Sequence, residues 1–322
     1  MGTTNTRVWL LRNEEVIANA KATVGVRDSA RDGSNTRICQ ALRGLISDVS
    51  KASRSKGSEE ISFVAGCGMI TSSLGLLEVP HVPAPAGLKE LASGIVKSNF
   101  SEIINVPFLL IPGVRTGDRH ADLDQIDTCD FMRGEETLCI GLFSLGLLKP
   151  HSILLNLGSH WKAVVMSREG SITSSVTSLS GELIHTVQTQ TILFESLPQG
   201  PLASLDFRWM EQGMIEQRRS GLARTLFCVR LLHQNTVGDA EQRLSYMAGA
   251  FISSDLDSLM ARKILTRDRS VTVAGTGALV RAWCHALSLS SIPTIALDHS
   301  HLERGLLTGM RRIVELSDST PV

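Results

Sequence analysis

The sequence is short of most features that mark a binder of polymers or membranes. Aromatic residues make up 4% of its 322 positions, too few for the stacking platforms on which single-stranded nucleic acid lies. Charge is balanced at 32 basic and 32 acidic residues, which leaves no electrostatic footprint for DNA, RNA or an anionic membrane surface. No apolar run approaches the roughly 20 residues that span a bilayer, and the polar first residues do not read as a secretory signal. The six cysteines, Cys39, Cys67, Cys129, Cys139, Cys228 and Cys284, are scattered without C-x-x-C spacing. That disfavours a zinc site and reads as a reduced, cytoplasmic protein with buried structural thiols. Two nucleotide signatures are also missing. There is no G-x-x-x-x-G-K-[ST], which argues against a P-loop, and no G-x-G-x-x-G after a complete first strand, which disfavours a dinucleotide-binding dehydrogenase.

What is present is an ordinary globular composition, 43% apolar and 20% charged, on a chain long enough for two domains. Thr6–Leu11 reads as a strand, Asn13-Glu14 as a turn and Val16–Val26 as a returning strand. Asp32–Asn35 supplies turn and N-cap residues, and Ile38, Leu42, Leu45, Ile46 and Val49 recur at helical spacing behind it. Glu60–Cys67 and Asn105–Ile111 read as buried strands, and Met132–Lys149 as a helix closed by Pro150. Ser152–Leu157, Lys162–Ser167 and Ser171–Val176 follow as strands with turns at Gly158–His160 and Glu169-Gly170. From Gly181 to Leu265 the pattern is mostly helical, clearest over Leu222–Leu232 and Tyr246–Leu259. Val271–Ala274 is a buried strand leading into Gly275-Thr276-Gly277 and a helix through Leu279, Val280, Trp283 and Leu287. Thr294–Leu297 is a last strand before a helix near Leu302–Met310. A strand–turn–strand pattern thus occurs at Gly2 and again at Gly158, a weak internal repeat of the kind duplicated domains leave. It places a boundary at 140/141, with 1–140 and 141–322 as the two domains.

Four stretches carry chemistry. In Gly2-Thr3-Thr4-Asn5, glycine permits close approach while the hydroxyl and amide groups supply donors for a polyphosphate, and Arg7 can add charge; an ordinary hairpin turn answers the pattern as well. Gly158-Ser159-His160 repeats the design. Two such turns at matching points of two halves can grip one nucleotide. Met132-Arg133-Gly134-Glu135-Glu136-Thr137 opens a helix. Its acids suit the helix dipole, and Glu135, one residue after glycine, also suits a general base for phosphoryl transfer to a hydroxyl; Asp130 and Glu136 are the other carboxylates in reach. Gly275-Thr276-Gly277, after a buried strand, fits an adenosine pocket or any α/β turn. Of the nine histidines, His81, His120 and His299 read as surface or capping residues, and His160 stands out only by position. Glu182 reads equally as a helix-start residue or a phosphate-side one. Trp161 and Trp283 read as core or cleft walls.

In order along the chain, Gly2–Arg7, PHVPAPAG at Pro80–Gly87, DFMRGEET at Asp130–Thr137, LNLGSHWK at Leu155–Lys162, LSGEL at Leu179–Leu183 and LFCVR at Leu226–Arg230 resemble the bacterial 2-dehydro-3-deoxygalactonokinases. The resemblance covers nearly the whole chain, and M-R-G-E-E is among its most specific parts. It implies the sugar kinase, actin and heat-shock ATPase superfamily: an α/β chain of two ribonuclease-H-like domains around a central nucleotide cleft, using ATP and Mg²⁺ in galactonate catabolism. The N-terminal domain would hold the sugar acid and the C-terminal domain the adenosine. The resemblance implies Glu135 as catalytic base, from its likeness to the G-D-Q acid of other sugar kinases. Gly2, Thr3, Thr4, Asn5, Gly158, Ser159, His160, Gly275, Thr276 and Gly277 become the nucleotide-binding set. Arg133, Arg115 and Glu136 are the sugar-acid candidates, since guanidinium binds carboxylate bidentately. No metal ligand is identified.

The sequence also departs from the family pattern. Gly158-Ser159-His160-Trp161-Lys162 stands where the family has G-T-H-S-K-W, and Gln190-Thr191-Ile192-Leu193 where it has H-S-I-L. The 65–72 loop is altered. These changes leave room for a related 2-keto-3-deoxy acid as substrate. In the family a strand and an aspartate that helps place the metal precede this first turn, so the reading treats the first strand as truncated at Met1 and expects weak magnesium binding and little activity if translation starts there. A non-catalytic sugar- or nucleotide-binding relative and a sugar-independent ATPase are the competing readings. Partners are otherwise confined to small molecules, with no nucleic acid and no membrane.

Overall fold

The computed structural model describes residues 1–12, 15–54 and 60–318; the expected turn at Asn13-Glu14 lies outside them. The chain divides into two compact units, Met1–Ser144 with Gly305–Val322, and Leu145–Arg304.

The first unit opens with an antiparallel pair, β1 (Thr6–Arg12) and β2 (Glu15–Ala22). The returning strand is shorter than its apolar pattern suggests, because Gly25 starts a helix, α1 (Val26–Asp32), against the first turn. A side chain on Gly25 would stand 2.4 Å from the Thr3 carbonyl oxygen, so only glycine lets that helix begin there. Gly33 ends it in the left-handed conformation, φ 65°, the usual role of glycine after a helix. Helix α2 (Thr36–Arg54) then buries Ile38, Leu42, Leu45, Ile46 and Val49, the stripe its spacing predicts. Ile38, Leu42 and Ile46 join Phe108, Leu110 and Ile70 in this unit's core.

Beyond it come β3 (Val64–Gly66), β4 (Val82–Pro83), α3 (Leu88–Ser93), β5 (Val96–Phe100), β6 (Ile104–Leu110), β7 (Val114–Thr116) and β8 (Asp130–Met132). They form two sheets, β3-β6-β5 and β4-β7-β8. Met132 therefore ends a strand rather than opening a helix. Gly134, at φ 111°, turns the chain, and α4 (Glu135–Ser144) starts only at Glu135. Met1 sits beside the segment after β3: its amino group donates to Cys67 O at 3.1 Å and its carbonyl accepts from Met69 N at 2.9 Å.

The second unit is built on one five-stranded sheet in the order β11-β10-β9-β12-β13. Its strands are β9 (Ile153–Leu157), β10 (Trp161–Met166), β11 (Ile172–Ser178), β12 (Val271–Ala274) and β13 (Thr294–Leu297). The first three run as an antiparallel meander, and β12 joins β9 in parallel, with β13 parallel to β12. This is the ribonuclease-H-like arrangement expected. The central strands read as continuous apolar runs because both of their faces are covered, β9 and β12 being buried almost throughout. The covering helices are α5 (Ser180–Gln190), α6 (Phe207–Ser220), α7 (Leu222–Gln234), α8 (Ala240–Ala261) and α9 (Ala278–Leu289). Trp161 and Trp283 meet edge to face in this core at 5.4 Å between ring centres.

The last helix, α10 (His299–Asp318), passes from the second unit back to the first. The sequence reading keeps all of 141–322 together; the structure returns Gly305 onward to the first unit, where α10 packs on α4 at glycine-only distance. A side chain on Gly141 would stand 1.7 Å from Gly305 O, and one on Gly309 1.9 Å from Thr137 O. No helix among the described residues is long and apolar enough to cross a membrane, and all six cysteines are free thiols.

Candidate active site

In the first unit, the turn before β1 and the entry to α4 are brought together around Gly68. Gly2 N donates to Asn5 O at 2.8 Å, closing the turn, and the Asn5 amide donates to Thr4 Oγ1 at 2.9 Å. The carbonyls of Gly2 and Thr3 are taken by the first amides of α1, Val26 and Arg27. Gly68 has φ 79°, and a side chain there would meet Met1 O at 2.5 Å and Arg133 O at 3.6 Å. Its lack of a side chain lets the two segments approach, a role the sequence reading missed.

Glu135 is the first residue of α4 and is half-buried. Its neighbour behaves differently. Glu136 is fully buried, with both carboxylate oxygens accepting from Gly134 N at 2.9 and 2.7 Å and one accepting from the Thr137 hydroxyl at 2.9 Å. It caps the first turn of the helix that carries Glu135. Burial pushes its carboxyl up to about 7, helped by the like charge of Glu135 and opposed by these hydrogen bonds. Burial likewise raises the nearby Cys67 thiol to about 11.

Of the two arginines, Arg133 turns inward. Its guanidinium donates to Thr71 Oγ1 at 2.9 Å and Val79 O at 2.7 Å and lies 3.4 Å from His81 Nδ1. It thereby ties the 71–81 segment to the start of α4. His81, expected at the surface or as a capping residue, is half-buried and also packs on Phe131. Arg115 lies on β7, half-buried, in register with Phe131 on β8 and Pro83 on β4.

In the second unit, Gly158–His160 follows β9, and Gly275–Gly277 follows the parallel neighbour β12, so both turns stand at the same, carboxyl end of the sheet. Crevices at the carboxyl ends of the strands are where open α/β sheets bind ligands. A side chain on Gly275 would stand 2.9 Å from Leu157 Cβ, which keeps the two turns close. Thr276, Gly277, Gly158, Ser159 and His160 are exposed. Gly277 precedes α9 at φ 70°, leaving first-turn amides of a 12-residue helix toward the turn. His160 Nε2 is 3.1 Å from Glu182 Oε2 at the start of α5.

A family model described as 2-keto-3-deoxy-galactonokinase matches residues 1–310. The chain belongs to that family. Among solved structures, a Sinorhizobium meliloti protein provisionally assigned as a 2-dehydro-3-deoxygalactonokinase shares the fold, with a TM-score of 0.76 at 20% identity over 98% of this chain and 96% of that one. The activator of the 2-hydroxyisocaproyl-CoA dehydratase from Clostridium difficile aligns at a TM-score of 0.43 and 10% identity over 99% of this chain and 94% of that chain. Comparison with curated proteins by sequence found no match. As a member of the 2-keto-3-deoxy-galactonokinase family the chain is a carbohydrate kinase acting on a small molecule.

Proposed function

We propose that the chain transfers the γ-phosphoryl group of ATP to the terminal hydroxyl of a 2-keto-3-deoxy sugar acid, with 2-dehydro-3-deoxygalactonate as the foremost substrate, in galactonate catabolism. The observation that carries the reading is the pairing of Glu135 and Glu136: Glu136 is buried and fixed on Gly134 N, while Glu135 is half-buried at the first position of α4. Glu135 takes the proton of the hydroxyl as its oxygen bonds to the γ-phosphorus and the bond to the β-phosphate oxygen breaks, releasing ADP. The residues proposed for nucleotide contact are Gly2, Thr3, Thr4 and Asn5 in the first unit, and Gly158, Ser159, His160, Gly275, Thr276 and Gly277 in the second. Arg115 pairs with the acid's carboxylate, while Arg133 is committed to Thr71 and Val79. The first unit is thus the sugar-acid side and the second the adenosine side.

Magnesium, entering with the nucleotide, would supply charge neutralisation on the phosphates. Among the described residues no group of three or more His, Cys, Asp or Glu side chains is gathered that could hold a metal. The experiment that tests the reading compares Glu135→Gln with the wild type. Turnover falls by about 10²- to 10⁴-fold, the usual contribution of a general base, while the dissociation constant for a non-hydrolysable ATP analogue stays the same. An unchanged rate removes Glu135 from the reaction.

A further inference from the structure

The start of α5 lies against the Gly158–His160 turn, and it has no cap of its own: Leu179, the residue before it, makes no side-chain hydrogen bond to the helix. The missing cap is supplied from elsewhere. Ser180 N donates to Ser178 Oγ at 3.4 Å, and Ser178 Oγ donates to the Asp255 carboxylate on α8. The Ser180 hydroxyl, 3.2 Å from Ser178 Oγ, interacts with the same carboxylate. Asp255 thus anchors Ser178, the last residue of β11, and Ser180, the first of α5.

The next two residues pass this anchoring to the turn. A side chain on Gly181 would stand 2.3 Å from Gly158 O, 2.7 Å from Ser159 O and 2.9 Å from Trp161 Nε1, so the backbone of α5 rests directly on the backbone of the turn. Glu182 then reaches His160 at 3.1 Å. Behind this contact lies a cavity of about 40 Å³ lined by Trp161, Trp283, Ser178 and Asp255, its walls two fully buried indoles. The turn itself is exposed and has one internal hydrogen bond, the long Gly158 N to His160 O at 3.4 Å. It closes the β9–β10 hairpin across the Leu157–Trp161 pair and rests on the entry of α5, which Asp255 holds through Ser178.

We propose that Asp255 is a positioning residue for nucleotide binding, holding the start of α5 through Ser178 and Ser180 so that the Gly158–His160 turn keeps its phosphate-binding shape. The proposal rests on the reading of that turn as a nucleotide contact. A hydrogen bond to a carboxylate is among the stronger ones, so its loss is visible in affinity.

The test uses the full chain and measures binding of a non-hydrolysable ATP analogue directly, without sugar acid, beside steady-state kinetics for both substrates. Asp255→Ala and Ser178→Ala each weaken analogue binding and raise the KM for ATP by about tenfold or more, with the KM for the sugar acid unchanged. Asp255→Asn, which keeps an acceptor for Ser178, restores most of the affinity. Analogue binding equal to wild type in both Asp255→Ala and Ser178→Ala overturns the proposal. So does an equal rise in both KM values with a matching fall in unfolding temperature, since that marks a general loss of stability. Wild type that binds the analogue but phosphorylates no sugar acid sinks the kinase reading and leaves the Asp255 comparison valid. Wild type that binds no nucleotide sinks both.

Discussion

At the scale of single residues, adjacent glutamates at the entry to α4 have opposite environments, and stability should register the buried one. Glu136 has its carboxyl raised from 4.5 to about 7. Below pH 4.5 both folded and unfolded chains hold the proton, so its burial carries no charge penalty. Between about 4.5 and 7 the unfolded chain loses the proton first, so stability falls as pH rises; above about 7 the penalty is complete and constant. At about 1.4 kcal/mol per pH unit the displacement corresponds to about 3 kcal/mol. Urea unfolding at pH 5 and pH 7.5 measures it: the wild type loses more stability across that interval than Glu136→Gln, which keeps an acceptor for Gly134 N and has no proton to lose. Equal losses in both proteins would show that Glu136 does not titrate there. This division of labour was only half legible in the sequence. The glycine before Glu135 and the acids behind it mark a helix entry with a catalytic candidate, but nothing in the order of residues says which carboxylate turns inward. Arg133 is similar. Its partners, Thr71 and Val79, are more than fifty positions away in the chain, and no local pattern announces them.

At the scale of elements, the long periodic segments were readable and the short ones were not. Strand β12 coincides with its apolar run, because a strand covered on both faces writes a near-continuous apolar stretch; the edge strand β13, buried only at Leu297, coincides with its run as well. The two- and three-residue strands β4, β7 and β8 are too brief to show alternation, and α1, with two buried residues, carries no stripe. Gly141 illustrates what packing adds beyond pattern. Within α4 it looks like a weak point, since glycine costs a helix about 1 kcal/mol relative to alanine. Against Gly305 O, however, a side chain would stand at 1.7 Å. Gly141→Ala should therefore destabilise by about 1–3 kcal/mol through overpacking. Gly44, exposed in α2 with nothing within 4 Å of an added side chain, should gain about 0.5–1 kcal/mol when changed to alanine. Thermal unfolding of the two variants gives shifts of opposite sign; a neutral or stabilised Gly141→Ala would mean α4 and α10 are less closely apposed.

At the scale of the whole molecule, the chain carries its proposed chemistry in two units, each of which gathers its own part. Around Gly68 the first unit collects the opening turn, Glu135 and Arg133; at the carboxyl end of its sheet the second collects Gly158–His160 and Gly275–Gly277. The family match over residues 1–310 makes the chain a carbohydrate kinase, and Glu135 is its proposed base. The most direct measurement follows ATP consumption and phosphorylated product together, with and without 2-dehydro-3-deoxygalactonate. The account predicts that ATP is consumed only when the acid is present, with one phosphorylated sugar acid formed for each ADP. ATP consumption indifferent to the acid, or none with any 2-keto-3-deoxy acid despite nucleotide binding, would contradict it.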